Sequence, residues 1–267
     1  MPPRSNVLQG CFVNAPWYDL KGRLLDLVLE YRLQPEIGLE GTCLYDEDIG
    51  EFTRIKKLLD DRGLQCTLHA PFIDLAPGSL DPYILAKSQD KLRRAIKLAA
   101  IFQPRSIVCH LQYEENKHGY FFDRWLAQSL ATWRMLADQA AAVGARIMLE
   151  NTYETTPDIH RMVLTELQHP AIGFCLDVGH VTAFARGSWQ DWLPAMLPWL
   201  GQLHLHDNSG QKDQHLAPGL GSFDFPGLFH FLKQQDCHPI ITLEPHSQED
   251  LWQAIAYFER TGLLTGF

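Results

Sequence analysis

One pattern recurs eight times along this chain: a short apolar or β-branched run, then a longer amphipathic stretch. The runs are "VLQGCFVN" (7–14), "PEIGLEG" (35–41), "QCTLHAP" (65–71), "RSIVCHLQ" (105–112), "ARIMLEN" (145–151), "AIGFCLDVGH" (171–180), "GQLHLHD" (201–207) and "PIITLEPH" (239–246). Near-continuous apolar strands are expected where both faces of a sheet are covered. The stretches between them carry helical spacing, as in Leu92, Ile96 and Ala99, or Leu251, Ile255 and Phe258. Gly63 and Gly144 stand where two of these helices should stop. Eight parallel strand–helix units in about 250 residues is the size of a (β/α)8 TIM barrel. The expectation is therefore a single α/β barrel domain over residues 1–267. A doubly wound open sheet is disfavoured, because no G-x-G-x-x-G follows the first run.

Composition bears on partners and compartment. No apolar run is long enough to span a bilayer, and the N-terminal "MPPRSNVLQGCF" lacks the pattern of a secretory leader. A cytoplasmic location is expected. The six cysteines are scattered without a C-x-x-C pair, which fits buried free thiols in a reducing compartment. The net charge of −9 counts against a generic nucleic-acid binder, so DNA is admitted as a partner but not favoured. Bound cations would offset part of that charge.

A barrel of this kind builds its active site at the C-terminal ends of its strands. Here those ends hold His69, His110, Glu150 with Asn151, Asp177 with His180, His204 with His206 and Asp207, and Glu244 with His246. Asp213 and His215 follow in the long loop after the seventh run. A single histidine at a strand end is usually just a hydrogen-bonded one. A carboxylate after an apolar strand is different, because a buried charge needs a partner. The strand ends offer almost no Lys or Arg for ion pairs. Several converging carboxylates and imidazoles are best reconciled by a metal cation. Imidazole and carboxylate ligands without cysteine suit Zn²⁺, Mn²⁺ or Fe²⁺. His118, His160, His169, His230 and His238 read instead as surface or capping residues. The aromatics Phe72 and Tyr153 follow strand ends and are candidates for a pocket wall, with core packing the competing reading.

The motifs "LENT", "LDVGH", "HLHDN", "DQHLAPGLG" and "LEPH" resemble, in order, those of the xylose-isomerase-like TIM-barrel superfamily, also called AP endonuclease family 2. The resemblance covers nearly the whole chain and implies one of two activities. The isomerase branch holds one divalent ion with residues matching Glu150, Asp177, His204 and Glu244. The type IV endonuclease branch adds residues matching His69, His110, His180, Asp213 and His215, and holds several ions. Nine ligands overfill one site, whereas two or three ions sharing Glu150 leave room for water and a phosphate. "HAPFIDLAPGSLD" and "HLHDNSG" are also similar to cobamide-remodelling phosphodiesterases of the superfamily. Arg-rich or Gly-rich DNA-penetrating loops are lacking. The main expectation is thus a hydrolase cleaving a small phosphodiester, with Glu150 and Glu244 as catalytic carboxylates. His206 and His246 would stand behind the metal ligands or contact substrate, and Tyr153 and Phe72 would contact substrate. The alternative is a single-metal sugar or sugar-phosphate isomerase or epimerase, in which Glu150 and Glu244 move the proton.

Overall fold

The computed structural model describes residues 6–267; residues 1–5, the start of the stretch read for a leader, lie outside the described residues. Its eight parallel strands are β1 (Phe12–Pro16), β2 (Gln34–Gly38), β3 (Thr67–His69), β4 (Ile107–His110), β5 (Ile147–Glu150), β6 (Ile172–Asp177), β7 (Leu200–Leu205) and β8 (Ile240–Leu243). Each pairs with its sequence neighbour, and β8 closes on β1 through Phe12↔Thr242 and Val13↔Leu243. The (β/α)8 barrel expected from the alternation is the fold. The first unit begins differently from the expected 7–14 strand. Asn6–Gly10 is a helix packed on the last helix, Gln248–Thr261, and β1 starts only at Phe12. Val7 and Leu8 are apolar, but apolar content alone does not separate a short helix from a strand.

The helices begin and end as their sequences direct. Asp81 caps Pro82–Phe102 by accepting from the amides of Tyr83 and Ile84, with Pro82 at the first helical position. Gly63 and Gly144 adopt left-handed φ of 64° and 71° just past helix ends. Apolar faces of helices and strands meet in one continuous layer that includes Trp17, Trp133, Trp192, Phe102 and Phe229.

The lumen is stratified. Side chains two apart on a strand share a face. Val108 and His110, Met148 and Glu150, and Cys175 and Asp177 therefore stand one above the other. Val108, Met148 and Cys175 form a small apolar cluster of their own. Above it, at the C-terminal mouth, every one of these strands delivers an ionisable side chain. Cys11, Cys43, Cys66, Cys109 and Cys175 are buried and Cys237 is half-buried, all as free thiols. Burial pushes the thiols of Cys11 and Cys66 up to about 12, which keeps them protonated and unreactive. Among the described residues no helix is long and apolar enough to cross a membrane.

Candidate metal centre

The mouth opens into a cavity of about 310 Å³ lined by His69, His110, Glu150, His180, Asp213, His215 and Glu244, with Phe72, Tyr153 and His246 along its wall. None of its lining residues is Lys or Arg. The strand-end residues therefore do converge, and they do so without basic partners.

Glu150 stands at the centre and is 1% exposed. Its Oε2 lies 3.1 Å from His69 Nε2 and 3.1 Å from His110 Nε2. Its Oε1 lies 3.3 Å from His204 Nδ1 and 3.5 Å from His180 Nδ1. His204 Nδ1 is buried with no hydrogen-bond partner, and it also faces Glu244 Oε1 at 3.0 Å and Asp177 Oδ2 at 3.9 Å. A third group forms around Asp213, whose Oδ2 is 3.0 Å from His215 Nε2 and 3.5 Å from His180 Nε2. Sets of imidazole and carboxylate donors each fall within 4.8 Å of one another: His69, His110 and Glu150; Glu150, Asp177 and His180; and His180, His206, Asp213 and His215.

The outer nitrogens of these rings decide what the inner ones can do. His69 Nδ1 donates to the Ala70 carbonyl at 2.9 Å, His180 Nδ1 to Asn151 O at 2.9 Å, and His215 Nδ1 to Glu244 O at 3.1 Å. A neutral imidazole whose proton is held on one nitrogen carries a lone pair on the other. Those lone pairs point at carboxylate oxygens, which is repulsive unless a cation lies between them. This backbone-held tautomer is the arrangement that metal-binding histidines use. The electrostatics agree. Burial works against the imidazolium forms of His180 and His204, yet the surrounding carboxylates hold both well above the usual histidine range. Burial would raise Glu150 and Glu244, but the adjacent imidazoles, His204 first among them, hold both well below the usual carboxylate range. His215 is pushed up to about 9, its burial outweighed by the hydrogen bond to Asp213 and the charge of Glu244. A site that favours positive charge this strongly fits divalent cations.

One expectation needs correction, one is narrowed, and one residue was not anticipated. Of the two places expected for His206, the structure puts it behind a candidate ligand: it is 1% exposed, does not line the cavity, and its Nε2 donates to Asp177 at 3.0 and 3.1 Å. His160 reads from sequence as a surface or capping residue, yet it is fully buried with Nε2 3.1 Å from the Glu150 carbonyl oxygen, where it braces the end of β5. Glu36 was missed. It is fully buried in β2, and its Oε1 lies 2.9 Å from His204 Nε2. Its Oε2 accepts from Thr67 (2.7 Å), Gln202 (2.6 Å) and Thr242 (3.0 Å). The clue was an acid inside the apolar run "PEIGL", in the middle of a strand rather than at its end.

The remaining expected contacts are where a substrate could meet them. Phe72 stacks on His110 with ring centroids 4.3 Å apart, and Tyr153 is 63% exposed at the rim. His246 stacks on His215 at 4.0 Å. Burial, then the charge of His215, lowers its pKa, so it presents a neutral N–H.

The loop bearing Asp213 and His215 is tied down by Asp207. Its Oδ1 accepts from the amides of Asn208 (2.9 Å) and Phe223 (3.1 Å), and its Oδ2 from Gly219 (3.0 Å) and Gly221 (2.9 Å). Asp207 also exchanges both backbone hydrogen bonds with Leu216. Asp207→Ala is expected to cost about 2–4 kcal/mol, the penalty of orphaning several donors to a charged acceptor. A urea titration would check this, and protease cleavage confined to residues 208–223 should accelerate. An unchanged cleavage rate would show that the loop is held by other means.

Fold and site together define a (β/α)8 barrel with a histidine–carboxylate cluster suited to divalent metal. The profile "Xylose isomerase-like TIM barrel" matches residues 36–261, and the chain belongs to that family. It is 27% identical over 231 residues to the uncharacterized protein MJ1614 of Methanocaldococcus jannaschii, covering 84% of this chain and 86% of that one. Its fold is similar to a D-tagatose 3-epimerase-like protein (TM-score 0.82, 21% identity, 93% of this chain and 96% of the other). It is also similar to the TTHB071 protein of Thermus thermophilus soaked with ZnCl2 (TM-score 0.77, 21% identity, 96% and 98%). Sugar epimerases recur among the structural likenesses, at identities that show the shared fold.

Proposed function

We propose that this chain is a divalent-metal hydrolase that cleaves a phosphodiester in a small molecule. The observation that carries this reading is the surplus of donors. A single-ion isomerase needs Glu150, Asp177, His204 and Glu244. His69 and His110 on one side and His180, Asp213 and His215 on the other form further groups about the same cavity. When bound, divalent ions supply fixed positive charge that offsets the phosphoryl oxygens and makes water a better acid. Among the described residues lining the cavity there is no Lys or Arg, so bound cations would be what balances an anionic substrate. Glu150, held ionised by the imidazoles around it, orients the attacking water and accepts its proton as the new P–O bond forms and the ester P–O bond breaks. Glu244 holds His204 from the opposite quarter. His246 offers its N–H to a phosphoryl oxygen, and Phe72 and Tyr153 shelter the organic substituent. A cavity of about 310 Å³ suits a small molecule rather than a duplex.

A second reading is specifically favoured by two observations. His204 Nδ1 faces three carboxylates at 3.0–3.9 Å, a complete four-donor set for one ion. The likenesses to sugar epimerases point the same way. In that reading one of Glu150 and Glu244 removes the proton beside a substrate carbonyl and the other returns it to the opposite face.

The deciding experiment combines metal content with two assays. Elemental analysis of protein prepared without chelator is expected to give more than one ion per chain, with turnover of a generic aryl phosphodiester. Replacing Asp213 and His215 together by alanine should remove one ion and lower that turnover by about 10²-fold or more. A chain that saturates at one ion and exchanges the proton beside a ketose carbonyl in D2O, without cleaving phosphodiesters, would establish the epimerase instead.

A further inference from the structure

Beside the metal-lined cavity lies a second and larger one, of about 450 Å³, against the outer side of β1. Its origin is in the lengths of the helices that cover this strand. Elsewhere the barrel is wrapped by helices such as Pro82–Phe102 and Phe122–Ala142, each of 21 residues. After β1 come only a single turn, Trp17–Leu20, and a seven-residue helix, Leu25–Tyr31. At about 1.5 Å of rise per residue, that helix covers only about 10 Å of the wall. The space left between it and the last helix, Gln248–Thr261, is lined by Val13, Leu24, Leu27, Val28, Leu33 and Leu251.

The chemistry of this lining is one-sided. Its charged pair is self-contained, because Arg23 donates to both oxygens of Asp19, at 2.7 and 2.6 Å. Ser247 is engaged at the start of the last helix, where its hydroxyl accepts from the Asp250 amide at 3.1 Å. What the wall offers a ligand is apolar surface, and an uncharged apolar group gains most by covering it.

The position of the cavity ties its occupant to the metal centre. Side chains alternate along β1, so Asn14 faces the lumen while Val13 and Ala15 face outward into the helix layer. At the exit end of the strand, Asn14, Pro16 and His246 line both cavities. His246 is also the residue that offers its N–H to a phosphoryl oxygen in the reading above. A phosphodiester carries two ester arms. Phe72 and Tyr153, after β3 and β5, shelter one of them. The route past His246, between the loops that follow β8 and β1, is open to the other.

We infer that the cavity between Leu25–Tyr31 and Gln248–Thr261 is a specificity subsite that receives an uncharged alkyl arm of the substrate. The assignment rests on the phosphodiester reading and deepens it by naming a substrate class: a phosphodiester with one apolar arm, rather than one with two polar arms.

The metal-loaded full chain and a series of p-nitrophenyl phosphodiesters test this, the second arm being methyl, ethyl, butyl or hexyl. kcat/KM is expected to rise about 3-fold per added methylene, or about 30-fold from methyl to butyl. Leu27→Trp fills the cavity and Leu24→Asn makes its wall polar, and each should flatten that rise. Both side chains are only partly buried, so the fold should hold, with circular dichroism as the control. A wild-type chain that cleaves the methyl ester and gains nothing from longer arms would overturn the subsite and leave the hydrolase reading standing. A rise that persists undiminished in the two variants would do the same. Failure of the metal-loaded wild type to cleave any member would overturn the hydrolase reading and the subsite together.

Discussion

Glu150→Gln is expected to lower turnover by at least ~10³-fold and to loosen more than one bound ion at once. The size follows from how many groups this one carboxylate serves. Its two oxygens lie 3.1–3.5 Å from ring nitrogens of His69, His110, His180 and His204. Losing a single preorganised electrostatic contact at a reacting centre costs ~10²–10³-fold. A residue shared between donor groups loses that contribution and its hold on the ions together. Glutamine keeps the shape, so the barrel should stay folded. Its amide, however, turns an N–H pair toward one set of imidazoles and removes the charge from both. Elemental analysis beside the activity assay, with circular dichroism as the folding control, is the check. A variant with a full metal complement and undiminished turnover would remove Glu150 from the centre of the site.

The second large effect is expected at a residue that never meets solvent. Glu36→Ala should destabilise the chain by about 3–5 kcal/mol, the range for breaking a buried charged network by deleting one member. Thr67, Gln202 and Thr242 would lose their common acceptor, and His204 Nε2 would lose the carboxylate 2.9 Å away. Glu36→Gln separates the two roles. It retains an acceptor for the hydroxyls and so should cost little in folding. Without the charge that keeps the His204 proton on Nε2, metal affinity should fall ~10–100-fold. Urea unfolding and competition with a chromophoric chelator read the two separately. If metal affinity is unchanged in Glu36→Gln, the residue is only a structural tie between strands.

How far these features could be read from the chain depends on their range. The eight strand–helix units were legible because burial on both faces leaves an unbroken apolar run. The convergence of His69, His110, Glu150, Asp177 and Glu244 was legible because parallel strands share one exit end. The terminal helix Asn6–Gly10 was not, because five residues carry too little periodicity. Glu36 was not legible because this acid sits within β2 opposite Thr67 rather than at the strand's exit end. The placement of His206 behind His215 depends on how the loop after β7 folds back. That depends in turn on Asp207 reaching amides 12 to 16 residues away, a contact no local pattern announces. His160 is hidden for a similar reason, since its helix packs it inward against β5.

The anchoring of that loop has a consequence for how such a protein changes over generations. Asp207 grips the loop at residues 208, 219, 221 and 223, while Asp213 and His215 lie in the span between. Attachment and the proposed ligation are thus carried by different residues. Substitutions in the span can add or delete donors while the barrel and the four-donor set around His204 stay intact. On the several-ion reading proposed above, the number of ions would be a setting on a replaceable insert, and a descendant lineage could pass between one-ion and several-ion chemistry through two side chains without refolding anything else.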